Sequence, residues 1–300
     1  MKSILLLVGV YFLLSSCASN SKGDIHDDDA KWLEEQLRGV SNDDFKPKRK
    51  IRYNDKFDYH DIGDLVQDAL SDESLQKISQ GNLDPKDKLS KIVYLCYQGD
   101  FDNAFKHSAA VYDNYKTNPS YWNQIGSCYY LQRNLKKAKV FYRRALMLDK
   151  KFIPSINNLG VVYLLESKDK KAQAAFEQAL ILDRTAKTPK FNLANLYIRY
   201  GLLDKAETFL KNLKRSINIR DKDIYLSMAY IDLFRGNGSG AISNLNKLDD
   251  SVLRSKKGGL ALFFAYKLLK SDKANSIANY LESSGLSTRE RDVYEKIKNI

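Results

Sequence analysis

Residues 119–152 read PSYWNQIGSCYYLQRNLKKAKVFYRRALMLDKKF, and the order of side-chain sizes along that stretch decides the fold. Trp122, Ile125, Gly126, Tyr129, Ala138, Tyr142 and Ala145 recur at one constant interval as Ile156, Leu159, Gly160, Tyr163, Ala172, Phe176 and Ala179. The same interval again leads to Lys190, Leu193, Ala194, Tyr197, Ala206, Leu210 and Leu213, with only Lys190 departing from a bulky apolar side chain. Each copy contains two runs of helical periodicity. Gly126, Gly160 and Ala194 on the first run and Ala138, Ala172 and Ala206 on the second are small, so the two helices can approach closely. Tyr129, Tyr163 and Tyr197 then fill the space between copies. A single helix pair cannot bury its own apolar stripe, so the copies must stack.

This order of bulky, large apolar, small, aromatic, Ala, aromatic, Ala, at a period of about 34 residues, resembles the tetratricopeptide repeat. The resemblance implies an all-α fold, an α-solenoid of helix-turn-helix repeats, over 85–118, 119–152, 153–186, 187–220 and 222–255. Capping helices are expected over 58–84, with Ile62, Leu65, Val66, Ala69 and Leu70 on one side. A degenerate repeat and a C-terminal capping helix occupy 256–300, the last helix opening with the capping box Ser287-Thr288-Arg289-Glu290. Pro85, Pro119, Pro154 and Pro189 support the register, because proline at the first helical position sacrifices no intrahelical bond. Asp84, Asn118 and Thr188 are read as the caps before three of them. The turns within pairs fall at Gly99-Asp100, Arg133-Asn134, Lys168-Asp169 and Gly201. Past Arg220 the register slips by one residue, and Asp232 replaces the tyrosine.

Lys and Arg number 49 against 37 Asp and Glu, a formal charge of +12 that points to an anionic partner or surface. The N-terminus argues against nucleic acid. Lys2, the apolar run Ile4 to Leu14 and Leu14-Ser15-Ser16-Cys17 resemble a bacterial lipoprotein signal, the apolar run being too short to span a bilayer. That resemblance implies cleavage of residues 1–16, acylation of Cys17 and membrane attachment, at the outer membrane if there are two, since Ala18 follows. Residues 17–57 read as a flexible tether with a reach of roughly 35 Å. Its charge is segregated, acidic from Asp24 to Glu35 and basic from Lys46 to Arg52. Cys96 and Cys128 fall in first helices of neighbouring repeats, at differing helical phases, and are read as packing cysteines in preference to a disulfide pair, and not as metal ligands.

The first helices are expected to line a concave groove. Counting from the packing positions, it presents Asn123, Ser127 and Tyr130; Asn157, Val161 and Leu164; Phe191, Asn195 and Ile198; then Leu226, Tyr230 and Leu233. Amides that bond a peptide backbone, interleaved with Tyr130, Phe191 and Tyr230, point to an extended or helical segment of another protein as ligand. Asn123, Ser127, Tyr130, Asn157, Phe191, Asn195 and Tyr230 are the candidate contact residues. Little charge lies in the strip beyond Arg199. Lys136, Lys137, Lys139, Arg143 and Arg144 on the second helix are expected to face mostly outward, as a solvated face or a second, anionic contact surface. His26, His60 and His107 adjoin no candidate nucleophile, and there is no phosphate loop or zinc motif, so neither catalysis nor a cofactor is implied. The layout of signal, tether and repeats resembles lipoproteins that help to build pilus or secretin complexes. An adaptor for cell-wall enzymes and a glycan-binding protein are the alternatives.

Overall fold

A computed structural model describes Ile78, Asp84 and residues 86–216 and 222–300. The signal, Cys17, the tether, Pro85 and the capping helices expected before Ile78 lie outside these residues. The described chain is all-α, without strand, and forms two compact units that meet in sequence at Arg184 and Thr185.

The first unit holds α1 (Ser90–Tyr97), α2 (Phe101–Tyr115), α3 (Pro119–Leu131), α4 (Leu135–Leu148), α5 (Ile153–Leu165) and α6 (Asp169–Leu182). The second holds α7 (Lys187–Arg199), α8 (Leu203–Ser216), α9 (Lys222–Phe234), α10 (Gly238–Leu245), the single turn α11 (Asp250–Leu253), α12 (Lys256–Leu268), α13 (Lys273–Ser283) and α14 (Thr288–Lys298). In each unit successive antiparallel hairpins stack in the manner of tetratricopeptide repeats.

Every hairpin turns at an equivalent place. Gly99, Arg133, Ser167, Gly201, Gly236 and Lys270 all have left-handed backbone, with φ between 49° and 79°. Such a residue ends the first helix because its conformation lets the following N–H groups satisfy the last free carbonyls. The next residues restart the chain: Asp100, Asn134 and Asn237 cap α2, α4 and α10 by accepting the N–H of Asn103, Lys137 and Gly240. Asn118 caps α3 as expected, and Ser287 and Glu290 form the complete capping box of α14. Thr188 does not cap. Helix α7 already begins at Lys187, with Ala186 before it, so Pro189 sits at the third helical position, where its missing N–H is still harmless.

The small residues do what their size suggests. A Cβ on Gly126 would stand 2.7 Å from two ring carbons of Tyr142, and one on Gly160 2.5 Å from the Phe176 ring. Ala138, Ala172, Ala206 and Ala241 are fully buried on the opposing helices. Within the hairpin of α3 and α4 the filler is aromatic, and Tyr129 also meets Phe105 of the preceding repeat at 4.9 Å. Trp122 stacks on Phe141 at 6.0 Å, and Phe141 on Tyr129 at 5.2 Å. Arg144 lies 5.5 Å from the Trp122 ring centre and Lys137 5.3 Å from that of Tyr129, so both end rings of the stack also meet a cation.

Two expectations are corrected. Cys96 and Cys128 form a disulfide, with Cα atoms 5.3 Å apart, joining α1 to α3. Their phases differ within each helix, but two first helices lying side by side bring one phase of α1 against another of α3. The basic residues of α4 do not mostly face outward either. Only Lys136 is exposed, while Lys137 is buried and Lys139, Arg143 and Arg144 are half-buried. Their alkyl stems cover apolar surface and their charges find ring faces or acids. Lys171 over Tyr163 at 5.9 Å and Lys205 over Tyr197 at 5.8 Å repeat the Lys137 arrangement, one in each unit.

The second unit is tied by similar means. Arg235 bonds Asp204 and Glu207, linking the hairpin of α7 and α8 to α9. Tyr225 lies between Lys214 and Lys247, each 5.1 Å from its ring centre. Asp232, in place of the repeat's tyrosine, accepts the side-chain amides of Asn237 and Asn244 and so clamps its own hairpin. At the end, α14 buries Val293, Tyr294 and Ile297 and stacks Tyr294 on Phe263 at 5.0 Å, leaving its other faces charged to meet water.

Candidate functional site

The candidate contact residues fall on consecutive first helices, as their spacing requires. In the first unit, Asn123, Ser127 and Tyr130 come from α3 and Asn157 from α5. In the second, Phe191 and Asn195 come from α7 and Tyr230 from α9. None is exposed: of the seven, Tyr130 has the greatest accessibility, at 7%. Val161, Leu164, Ile198, Leu226 and Leu233 are also buried, and Arg199 is half-buried. Cys17 lies outside the described residues.

The polar members of the strip bond across repeats. Asn123 Oδ1 accepts from Ser155 Oγ at 2.9 Å and from Asn158 Nδ2 at 3.1 Å, both on the next first helix. Asn157 Nδ2 donates to Asn158 Oδ1 at 3.1 Å, which extends the network along α5. Ser127 Oγ donates back to the Asn123 carbonyl and accepts the Tyr142 hydroxyl at 3.3 Å. The second unit has the same device: Asn195 Oδ1 accepts Ser227 Oγ from α9 at 2.9 Å, while its amide nitrogen donates to the Phe191 carbonyl. Buried amides carry no charge to desolvate and are satisfied by one another, so they fix the register between repeats at little electrostatic cost. Tyr230 donates to the Lys257 carbonyl, and burial pushes the hydroxyls of Tyr230 and Tyr142 far above the usual phenol range, keeping both protonated donors.

Beside this strip the first helices also carry half-buried side chains. Leu131 and Leu165 end α3 and α5 in the first unit, and Lys190, Tyr197 and Arg199 lie on α7 in the second. Glu166, just past α5, shows how neighbouring repeats are tied near this edge. Burial pushes its carboxyl up, but bonds from Lys139 and Lys168 outweigh that and hold it below the usual carboxylate range. Among the described residues no group of three or more His, Cys, Asp and Glu is placed to hold a metal ion. Nor is any helix of those residues long and apolar enough to cross a membrane.

Sequence reasoning missed two features. The disulfide was missed because the spacing of 32 placed the two cysteines on neighbouring first helices but their differing phases gave no sign that they would face each other. An exposed apolar edge did leave a pattern. Met147 and Ile181 occupy the same place in successive repeats, on the second helix, with no part in the packing pattern.

The tetratricopeptide repeat family model matches residues 119–152. No curated protein sequence is significantly similar to the chain. Among solved structures, the type IV pilus biogenesis factor PilW superposes with a TM-score of 0.57 at 18% identity, over 69% of this chain and 96% of that one. The pilF protein of Pseudomonas aeruginosa gives 0.58 at 14% identity, over 78% of this chain and 99% of that one. A tetratricopeptide repeat protein from Parabacteroides merdae gives 0.50 at 16% identity, over 90% and 100%. At these identities the likeness establishes the fold alone, a stack of tetratricopeptide hairpins.

Proposed function

We propose that the chain is a lipid-anchored tetratricopeptide scaffold of a bacterial cell envelope, which holds peptide segments of partner proteins during assembly of a pilus, secretion complex or similar machine. The single observation that carries this reading is the run of hairpins itself. Each adds one more first helix to the face of its unit, with no cluster of metal-binding groups among the described residues. The pilus biogenesis proteins PilW and pilF, which share the fold, favour this kind of partner over a glycan. The disulfide favours export independently, because such bonds persist outside the reducing cytoplasm, which agrees with a lipoprotein signal ending at Cys17. Anchoring there, at the outer membrane where two are present, leaves the repeats free to engage a periplasmic partner.

In this reading the buried amides of Asn123, Asn157 and Asn195 align the first helices. Tyr130 in the first unit, and Phe191 and Tyr230 in the second, each underlie the first-helix face of their own unit, and the half-buried residues beside them meet the ligand. The test is photo-crosslinking in cells, with the probe placed at Leu131, Leu165 or Arg199, against Lys136 and Lys170 on second helices. A discrete protein adduct from the first three positions and none from the last two is expected. Equal yield from both sets, or no protein adduct at all, would reject the groove.

A further inference from the structure

The C-terminal ends of α4 and α6 and the turn between α4 and α5 place three large apolar side chains in solvent. Met147 is 43% exposed, Leu148 38% and Ile181 57%. Phe152 and Ile153, half-buried, continue the apolar edge through the turn. Beside it stand Lys150, Lys151 and Arg184, and about 16 Å away, at the other ends of α4 and α6, Lys136 and Lys170; all five are exposed and have no acidic partner among the described residues. Lys136, Arg143, Met147 and Lys150 are spaced to share one face of α4 and its extension, and Lys170, Ile181 and Arg184 repeat three of those places in the next hairpin.

These cations differ from their neighbours. Elsewhere in the unit Lys139 and Lys168 share the single carboxylate of Glu166, and Lys137, Lys171 and Arg144 lie over aromatic rings. Two acids near the edge are held in place by neutral donors, Asp149 by the Lys151 N–H at 2.9 Å and Glu177 by the Gln173 amide at 2.8 Å, so their charges reduce the local excess without removing it. Residues 135–184 contain eleven basic and five acidic side chains, so half of the chain's net charge of +12 resides there.

We propose that this edge docks on an anionic phospholipid membrane. Charge complementarity selects the sign of the surface. The apolar side chains select its nature, because they stand out from the helices where a rigid protein partner would have to supply matching hollows. A headgroup layer yields to such side chains and surrounds the lysines with phosphate. The inference uses the second helices of the first unit and is independent of what the first-helix face binds.

The test is co-sedimentation of the full chain with vesicles of phosphatidylcholine alone or mixed with phosphatidylglycerol. All variants keep the same residues 1–17, so membrane binding through that segment is common to them. Lys150→Gln with Lys151→Gln should weaken the phosphatidylglycerol-dependent binding roughly 30-fold, from about 1 kcal/mol for each lysine near an anionic surface. Lys150→Arg with Lys151→Arg should leave it intact. Met147→Ser with Ile181→Ser should remove the part that survives high salt. These residues are exposed, so every variant should melt with the parent. Undiminished phosphatidylglycerol-dependent binding in the glutamine pair would overturn the proposal. So would a photo-crosslinker at Ile181 that captures protein instead of lipid in cells, and neither result depends on adducts formed at Leu131, Leu165 or Arg199.

Discussion

Replacing Gly160 by alanine should destabilise the protein, against the normal effect of that change in a helix. In an open helix the substitution gains about 1 kcal/mol, because glycine has more backbone freedom to lose. Here the new methyl carbon would lie 2.5, 2.9 and 3.0 Å from three ring carbons of Phe176. The ring is wholly buried and cannot swing aside, so either it leaves its rotamer or α5 and α6 part. Overpacking of this kind costs about 1–3 kcal/mol, and three contacts this short put it in the upper half of that range. The net effect is a loss of about 1–2 kcal/mol, measurable by urea denaturation followed by circular dichroism. Phe176→Leu removes the ring edge that the methyl meets. The double variant should therefore be at least about 1 kcal/mol more stable than the sum of the single effects predicts. If Gly160→Ala instead stabilises by about 1 kcal/mol and the two changes simply add, the close approach of the paired helices is wrong.

Three further outcomes follow from the geometry. The disulfide closes a loop of 32 residues, so Cys96→Ala with Cys128→Ala should cost about 3.5 kcal/mol, and neither native thiol should react before reduction and unfolding; ready labelling of both would contradict it. Ser167 holds a left-handed conformation at φ 56°, so Ser167→Gly should raise stability by about 0.5–1 kcal/mol, whereas a loss of that size would show the turn to be misplaced. Glu166 has its carboxyl lowered on folding, so its contribution is present above the unfolded carboxylate pKa and fades as pH falls through the lower folded value. Glu166→Gln should flatten the stability profile across that acidic window and leave the slope above it unchanged, as read from melting temperature against pH.

The fold was legible because the packing of one hairpin recurs with the same sizes at the same intervals. Gly126 faces Tyr142, and Gly160 faces Phe176, in the way their volumes alone suggested. Boundaries were less legible where a local signal competed with the repeat. Thr188 before Pro189 looks like a cap, yet the helix starts at Lys187 because proline is tolerated anywhere in the first turn. The sequence assigned the candidate contact residues to first helices and did not foresee their burial. Asn123 and Asn195 lie on first helices, but no pattern within one repeat shows that Ser155 or Ser227 of the next will reach them. Charge was hardest to read: lysine looks alike in sequence whether it covers a tyrosine, as Lys137 does, or stands in water, as Lys136 does.

Hydrogen exchange on the purified chain, alone and with the partner captured through Leu131, Leu165 or Arg199, tests the central claim most directly. The account predicts slowed exchange along the first helices of the unit that is bound, α3 and α5 or α7 and α9, with the second helices α4, α6 and α8 unchanged. Protection confined to those second helices, or to the turns between repeats, would contradict it.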